Sequence, residues 1–153
     1  MIGRPQRTIQ REASFEGIGL HTGERGRVTF KRAPAGSGVR FVRTDLPGRP
    51  TVVVRPENAA FDPKAGRRTI LEENGVQIHT MEHVLAAVAG LGIDNLLIEQ
   101  SAMETPEPAD GSAEQHGRPH DADVAAHLIQ DRRGIHVVGA ERLQGVVDRY
   151  RLA

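Results

Sequence analysis

The run His79-Thr80-Met81-Glu82-His83 puts two imidazoles and a carboxylate into five residues. Its H-x-x-E-H spacing is that of the inverted zincins, in which histidines hold a metal and a glutamate handles a proton. Glu82 and His83 are adjacent, so on a helix they point about 100° apart and cannot share one side-on face. At a first turn both can still edge a cleft. His83 can then give a ring nitrogen to a metal while Glu82, one layer away, takes a proton from an attacking water. The same residues also suit an ordinary helix start, with an acidic side chain favoured by the helix dipole and a histidine satisfied by backbone contacts. Spacing alone leaves both readings open. If Thr80 is the N-cap, His79 falls outside the helix and need not face the same metal.

In the run from Gly17 to Gly23, three glycines surround His21 and Thr22. A Gly-x-Gly-x-x-Gly dinucleotide frame fails, because Thr22 holds the third glycine position, Gly23 comes one residue late, and no Lys-Ser/Thr follows. What remains is a tight turn that presents His21 to a ligand, or a hairpin whose histidine is simply exposed. The carboxylates of Glu104, Glu107 and Asp110 can ligate a cation or orient a histidine, with solvated loop charge the simpler expectation. His127 and Asp131 are spaced to share a helix face, as metal ligands or as the polar edge of a packing helix, with His116 and His120 nearby in sequence. Arg40, Arg43, Arg67 and Arg68 can hold phosphate or carboxylate groups, or discourage sheet pairing as strand-edge charges.

Composition narrows the field. The 153 residues carry 20 Lys plus Arg against 20 Asp plus Glu, and aromatics make up 3%. Without net positive charge or stacking rings, nucleic-acid binding is disfavoured. The chain has no cysteine, so thiol nucleophiles, disulfides and thiolate metal sites are excluded. The N-terminus has basic residues without the following apolar stretch of a secretory signal, and no apolar run reaches the ~18 residues of a membrane span. A cytoplasmic protein with no integral membrane segment is the default.

The elements that must position these groups are mainly strands at first. Ala13 to Phe15 leads into the glycine run, with Thr8 to Gln10 read as its hairpin partner or as part of one bent strand. Val28 and Phe30 alternate with Arg27, Thr29 and Lys31, a period-two strand. Val39 to Arg43 supplies another, and an antiparallel pair with the preceding strand is the simplest arrangement. Thr51 to Val54, Arg67 to Leu71 and Val76 to His79 are further strands. After Thr80 the alanine-rich stretch to Gly90 predicts a helix with Met81, Val84, Leu85 and Val88 as its apolar stripe. Ile93 to Glu99 reads as a buried strand, the Pro- and Gly-rich stretch 101–119 as loop, 122–129 as a short helix, and Ile135 to Val138 as an edge strand. An alternating sheet must hide its apolar side, so the fold class is α+β, a two-layer sandwich of mainly antiparallel sheet with helices on one face.

Taken together, Gly17 to Gly23, Arg43-Thr44-Asp45-Leu46, Thr80-Met81-Glu82-His83, the stretch from Ala86 to Asn95 and Asp110-Gly111-Ser112-Ala113 resemble the family of UDP-3-O-acyl-N-acetylglucosamine deacetylases. The resemblance covers about Gln6 to Ala113. It implies a zinc-dependent amidase of lipid A biosynthesis that releases acetate from the sugar nitrogen of a UDP-linked, acylated glucosamine. By motif match His83 would be a zinc ligand, Glu82 the general base, and His21 a substrate-binding residue near the cleft. The implied fold is ribosomal protein S5 domain 2-like, in two similar domains with the active site between them.

Only the first domain is matched. On this comparison 1–133 is that domain, 134–153 a divergent or weakly ordered tail, and the second catalytic domain is absent. In the family the other zinc ligands, a histidine and an aspartate four residues apart, and a further catalytic histidine come from the second domain. His127 and Asp131 have that separation, but their place soon after Ala113 suits the end of the first domain. The chain is therefore expected to be incomplete as a catalyst alone. It would need a second-domain polypeptide, or self-associate through an apolar face left uncovered. The alternative is a catalytically inert interaction or sugar-nucleotide-binding module.

Overall fold

The computed structural model describes residues 5–60, 62 and 69–108. Outside them lie Arg67, Arg68, the Asp110 to Ala113 motif, His116, His120, His127 and Asp131. The expected helix 122–129, the edge strand at Ile135 to Val138 and the tail 134–153 lie outside them as well.

Within the described residues the chain forms β1 (Ala13–Ile18), β2 (Arg25–Arg32), β3 (Val39–Arg43), β4 (Thr51–Val53), a short 3-10 turn at Pro56–Asn58, β5 (Ala59–Ala60), β6 (Ile70–Glu73), β7 (Val76–His79), α1 (Glu82–Gly90), β8 (Leu96–Gln100) and β9 (Glu107–Pro108). A six-stranded sheet has the order β4-β3-β8-β2-β1-β9, and a three-stranded sheet the order β5-β6-β7. The class is α+β, consistent with a general two-layer sandwich. Among the described residues one helix packs on the sheets.

The six-stranded sheet is mixed. β2 and β3 do not pair with each other: β8 inserts between them, antiparallel to β2 and parallel to β3. The expected β2–β3 hairpin is thus corrected. The apolar alternation is present, but Ile98 of the fully buried pair Leu96 and Ile98 stands opposite Phe30 of β2 on one side and Phe41 of β3 on the other, so all three strands share one buried centre. The first hairpin is also corrected. β1 runs through Gly17 and pairs with β2 from Ala13↔Phe30 to Ile18↔Arg25, so the glycine run is the hairpin's end and Thr8 to Gln10 is not its partner. Asn74 and Gly75, both at positive φ, turn β6 into β7.

The core is one cluster in which Phe15, Val28, Phe30, Phe41 and Ile98 of the large sheet meet Leu71 and Ile78 of the small one and Met81, Val84, Ala87 and Val88 of the helix segment. Burial of each such side chain contributes about 1.5–3 kcal/mol. The helix follows the predicted stripe. It stops where Gly92 takes φ 65° and Ile93 N–H bonds Val88 O. Asp94 and Asn95 then fasten the N-terminal segment: Asp94 Oδ2 accepts from Arg7 N at 2.8 Å, and Asn95 Nδ2 donates to Gln6 Oε1 at 3.1 Å.

Arg43 is buried and spent internally. Its Nε donates to Asp45 Oδ1 at 2.8 Å and its Nη1 to Gln77 O at 2.9 Å, tying β3 to β7. Hydrogen bonding from that guanidinium holds the Asp45 carboxyl below the usual carboxylate range against the opposing effect of burial. Arg40 turns to Ser37 O at 2.9 Å. Arg43 is thus engaged within the fold, and Arg43-Thr44-Asp45 is a turn held by its own charges.

Candidate active site

β7 delivers the chain to the helix through a strained corner. Thr80 sits at φ 56°, the left-handed region that a β-branched residue seldom enters. Its N–H bonds Thr69 O at 3.0 Å, and its hydroxyl donates to Glu104 Oε1 at 3.0 Å. The expected N-cap role of Thr80 is corrected: Met81 is the N-cap residue, without a side-chain cap, because the Thr80 hydroxyl is turned toward Glu104.

One residue beyond Met81, Glu82 opens the helix and His83 follows, both half-buried. The Glu82 Oε2 atom is buried and has no hydrogen-bond partner among the described residues. A buried carboxylate oxygen without a protein donor is uncommon and calls for a partner or a role. His79 is a buried strand residue whose Nε2 lies 2.9 Å from Gln77 Oε1. The five-residue run therefore divides, with His79 in the sheet and Glu82 and His83 at the helix start.

His21 is exposed on the β1–β2 loop. That loop is closed by Gly19 N bonding Glu24 O at 2.8 Å and Gly23 N bonding Gly19 O at 2.9 Å. Its amides point at a carboxylate inside the protein. His21 N donates to Glu104 Oε1 at 3.0 Å, Thr22 N to Glu104 Oε2 at 2.8 Å, and Thr22 Oγ1 to the same oxygen at 2.8 Å. Gly19 is required by this approach, since a Cβ there would meet Glu104 Oε2 at 2.5 Å. The large hydrophobics exposed among the described residues, Ile18 and Leu20, flank this glycine.

Glu104 was expected to be solvated loop charge and is instead 1% exposed. The segment around it runs beside the end of β7, with His79 N bonding Met103 O at 3.0 Å and Thr105 N bonding His79 O at 2.9 Å. Burial pushes the Glu104 carboxyl up, but the bonds from the Thr22 and His21 amides and from the Thr22 and Thr80 hydroxyls outweigh it and hold the group below the ordinary glutamate range. No local pattern marks this residue, because its partners lie more than 80 positions away at the loop.

Among the described residues no three His, Cys, Asp or Glu side chains converge as a metal site. Glu82 and His83 follow one another at the helix start, a carboxylate and an imidazole of the types that can serve a metal site, and Glu82 Oε2 has no hydrogen-bond partner among the described residues. Among the described residues, no helix is long and apolar enough to cross a membrane.

Comparison with known proteins gives the context for this arrangement. The family model described as UDP-3-O-acyl N-acetylglycosamine deacetylase matches residues 6–137. The UDP-3-O-acyl-N-acetylglucosamine deacetylase of Myxococcus xanthus is 38% identical over 143 residues, 90% of this chain and 44% of that protein. The enzyme of the same name from Chromobacterium violaceum is 44% identical over 108 residues, 71% of this chain and 34% of its own length. That of Tolumonas auensis is 35% identical over 143 residues, covering 46% of its length. The chain thus spans less than half the length of these curated relatives.

Proposed function

This chain belongs to the UDP-3-O-acyl-N-acetylglucosamine deacetylase family, and from that premise we propose that it supplies one half of a zinc-dependent deacetylase site in lipid A biosynthesis. In this reading the chain is the first of two ribosomal protein S5 domain 2-like domains and works in the cytoplasm. The substrate is a UDP-linked, acylated N-acetylglucosamine and the products are acetate and the free amine.

Glu82 is the general base and His83 one zinc ligand, with the remaining ligands coming from outside the described residues, on a second-domain polypeptide. The chemistry that zinc supplies when bound is polarisation of the acetamide carbonyl and acidification of the attacking water. Glu82 Oε2 takes the proton as the water oxygen bonds to the carbonyl carbon. The same oxygen hands it to the sugar nitrogen as the C–N bond breaks, so the amine leaves neutral. His21, on its clamped loop, contacts substrate at the cleft edge. Apolar burial of the acyl chain adds about 0.8 kcal/mol per methylene.

The observation that carries this reading is the buried Oε2 of Glu82, without a hydrogen-bond partner among the described residues and one position before His83, in a chain of this family. A helix-start glutamate serving only the dipole would have its oxygens in water or on the capping amides. The test is to combine the chain with a second-domain polypeptide and measure bound zinc and acetate release. Both should appear together, and a folded complex that stays inactive contradicts the proposal.

A further inference from the structure

Glu104 has no part in the proposed chemistry, yet it is the most heavily bonded carboxylate among the described residues. It accepts from His21 N, Thr22 N, Thr22 Oγ1 and Thr80 Oγ1, which belong to two separate parts of the chain. The first three sit on the β1–β2 loop. The fourth belongs to the corner just before Glu82 and His83.

We propose that Glu104 is a positioning residue, a buried carboxylate clamp that fixes the His21 loop and the Thr80 corner to each other and so sets where Glu82 and His83 stand relative to His21. Three features of the structure make it more than a loop staple. Thr80 keeps a left-handed φ of 56°, a conformation that must be held by its surroundings, and the bond to Glu104 is among the hydrogen bonds that hold it. Glu104 is itself anchored, because backbone bonds on both sides of it, from Met103 and Thr105 to His79, lock it parallel to the end of β7. Gly19 leaves room for the carboxylate where any side chain would collide with it. The glycine spacing that resembles a phosphate loop thus serves an anion of the protein's own, gripped by backbone N–H groups as an anionic ligand would be. Catalytic side chains need placement within a fraction of an ångström, and such placement depends on supports of this kind.

This inference rests on the deacetylase reading for its functional meaning, but the clamp can be tested without turnover. In the folded chain, hydrogen exchange at the His21 and Thr22 amides and the ring resonances of His83 are recorded by NMR for wild type and Glu104→Gln. Gln offers a donor where the loop also donates. The two amides should exchange about tenfold faster or more while those of Phe30 and Ile98 hold, and the His83 ring signals should move. Unchanged loop amides overturn the clamp. Freed amides with unmoved His83 signals reduce Glu104 to a local staple and overturn the positioning role. Should Glu104→Gln not fold, Thr80→Val removes one hydroxyl at constant shape. It should move the His83 signals and speed exchange at Thr22, and failure to do either overturns the positioning role in the same way. In the assembled enzyme Glu104→Gln should lower kcat more than it raises KM, with Glu104→Asp recovering part of the loss; a change in KM alone contradicts positioning. An inactive wild type sinks the deacetylase reading and leaves the NMR result standing.

Discussion

Glu104 and Glu82 flank one corner of the chain, Thr80 and Met81, and the fold handles their carboxylates in opposite ways. Glu104 is sealed from water and accepts hydrogen bonds from four donor groups among the described residues. Glu82 is half-exposed as a residue, yet its Oε2 is buried and has no donor among the described residues. A carboxylate saturated with donors is a poor base, because protonation must break those bonds. One with an open lone pair has that proton site free. The same residue type thus serves as a fastening in one place and keeps an oxygen without a donor among the described residues in the other, which is what the proposed proton transfer at Glu82 requires.

The sharpest way to break this contrast is substitution at Glu82. Glu82→Gln in the assembled enzyme should reduce acetate release by about 10²- to 10⁴-fold, with thermal unfolding almost unchanged because Oε2 has no bond to lose among the described residues. A large loss of stability would make Glu82 structural and erase the distinction. Glu104→Gln should do the reverse to stability. Forfeiting at least one bond to a charged group costs about 1.5–3 kcal/mol, read as a lowered denaturation midpoint. Gly19→Ala forces a Cβ against Glu104 and Thr22. The expected cost is about 1–3 kcal/mol, and it should be smaller once Glu104 is already changed, which a double-mutant cycle measures.

The weakest effect is on pH dependence. The folded-state pKa of Glu104 is depressed, so its contribution to stability is complete above the ordinary glutamate range and is lost as pH falls through the lower folded value. Wild type should therefore lose stability on acidification more steeply than Glu104→Gln. Equal slopes in urea unfolding at about pH 3 to 6 would remove Glu104 as the cause.

What the sequence made legible follows from the range of the interactions. Strands with period-two burial such as Val28 and Phe30, and the helix stripe of Val84 and Val88, are written in neighbouring residues and can be read there. The order of strands is not, because β8 enters between β2 and β3 by matching apolar surface across the sheet. Glu82 and His83 stood out as adjacent reactive types. Glu104 is legible only as one carboxylate of an acidic stretch, since its role depends on amides contributed by the hairpin end, and such a stretch looks the same whether water or a loop surrounds it. Thr80 misled for a related reason. A threonine before a helix is the usual N-cap, and only the buried carboxylate beside it draws the hydroxyl elsewhere.

The central claim, that this chain brings His83 to a zinc centre completed from outside the described residues, is tested most directly by zinc stoichiometry with and without the second-domain polypeptide, in wild type and His83→Ala. The account predicts weak binding to the chain alone, one zinc per assembled enzyme, and loss of that zinc in the variant. Full zinc occupancy retained by the assembled His83→Ala protein would contradict it.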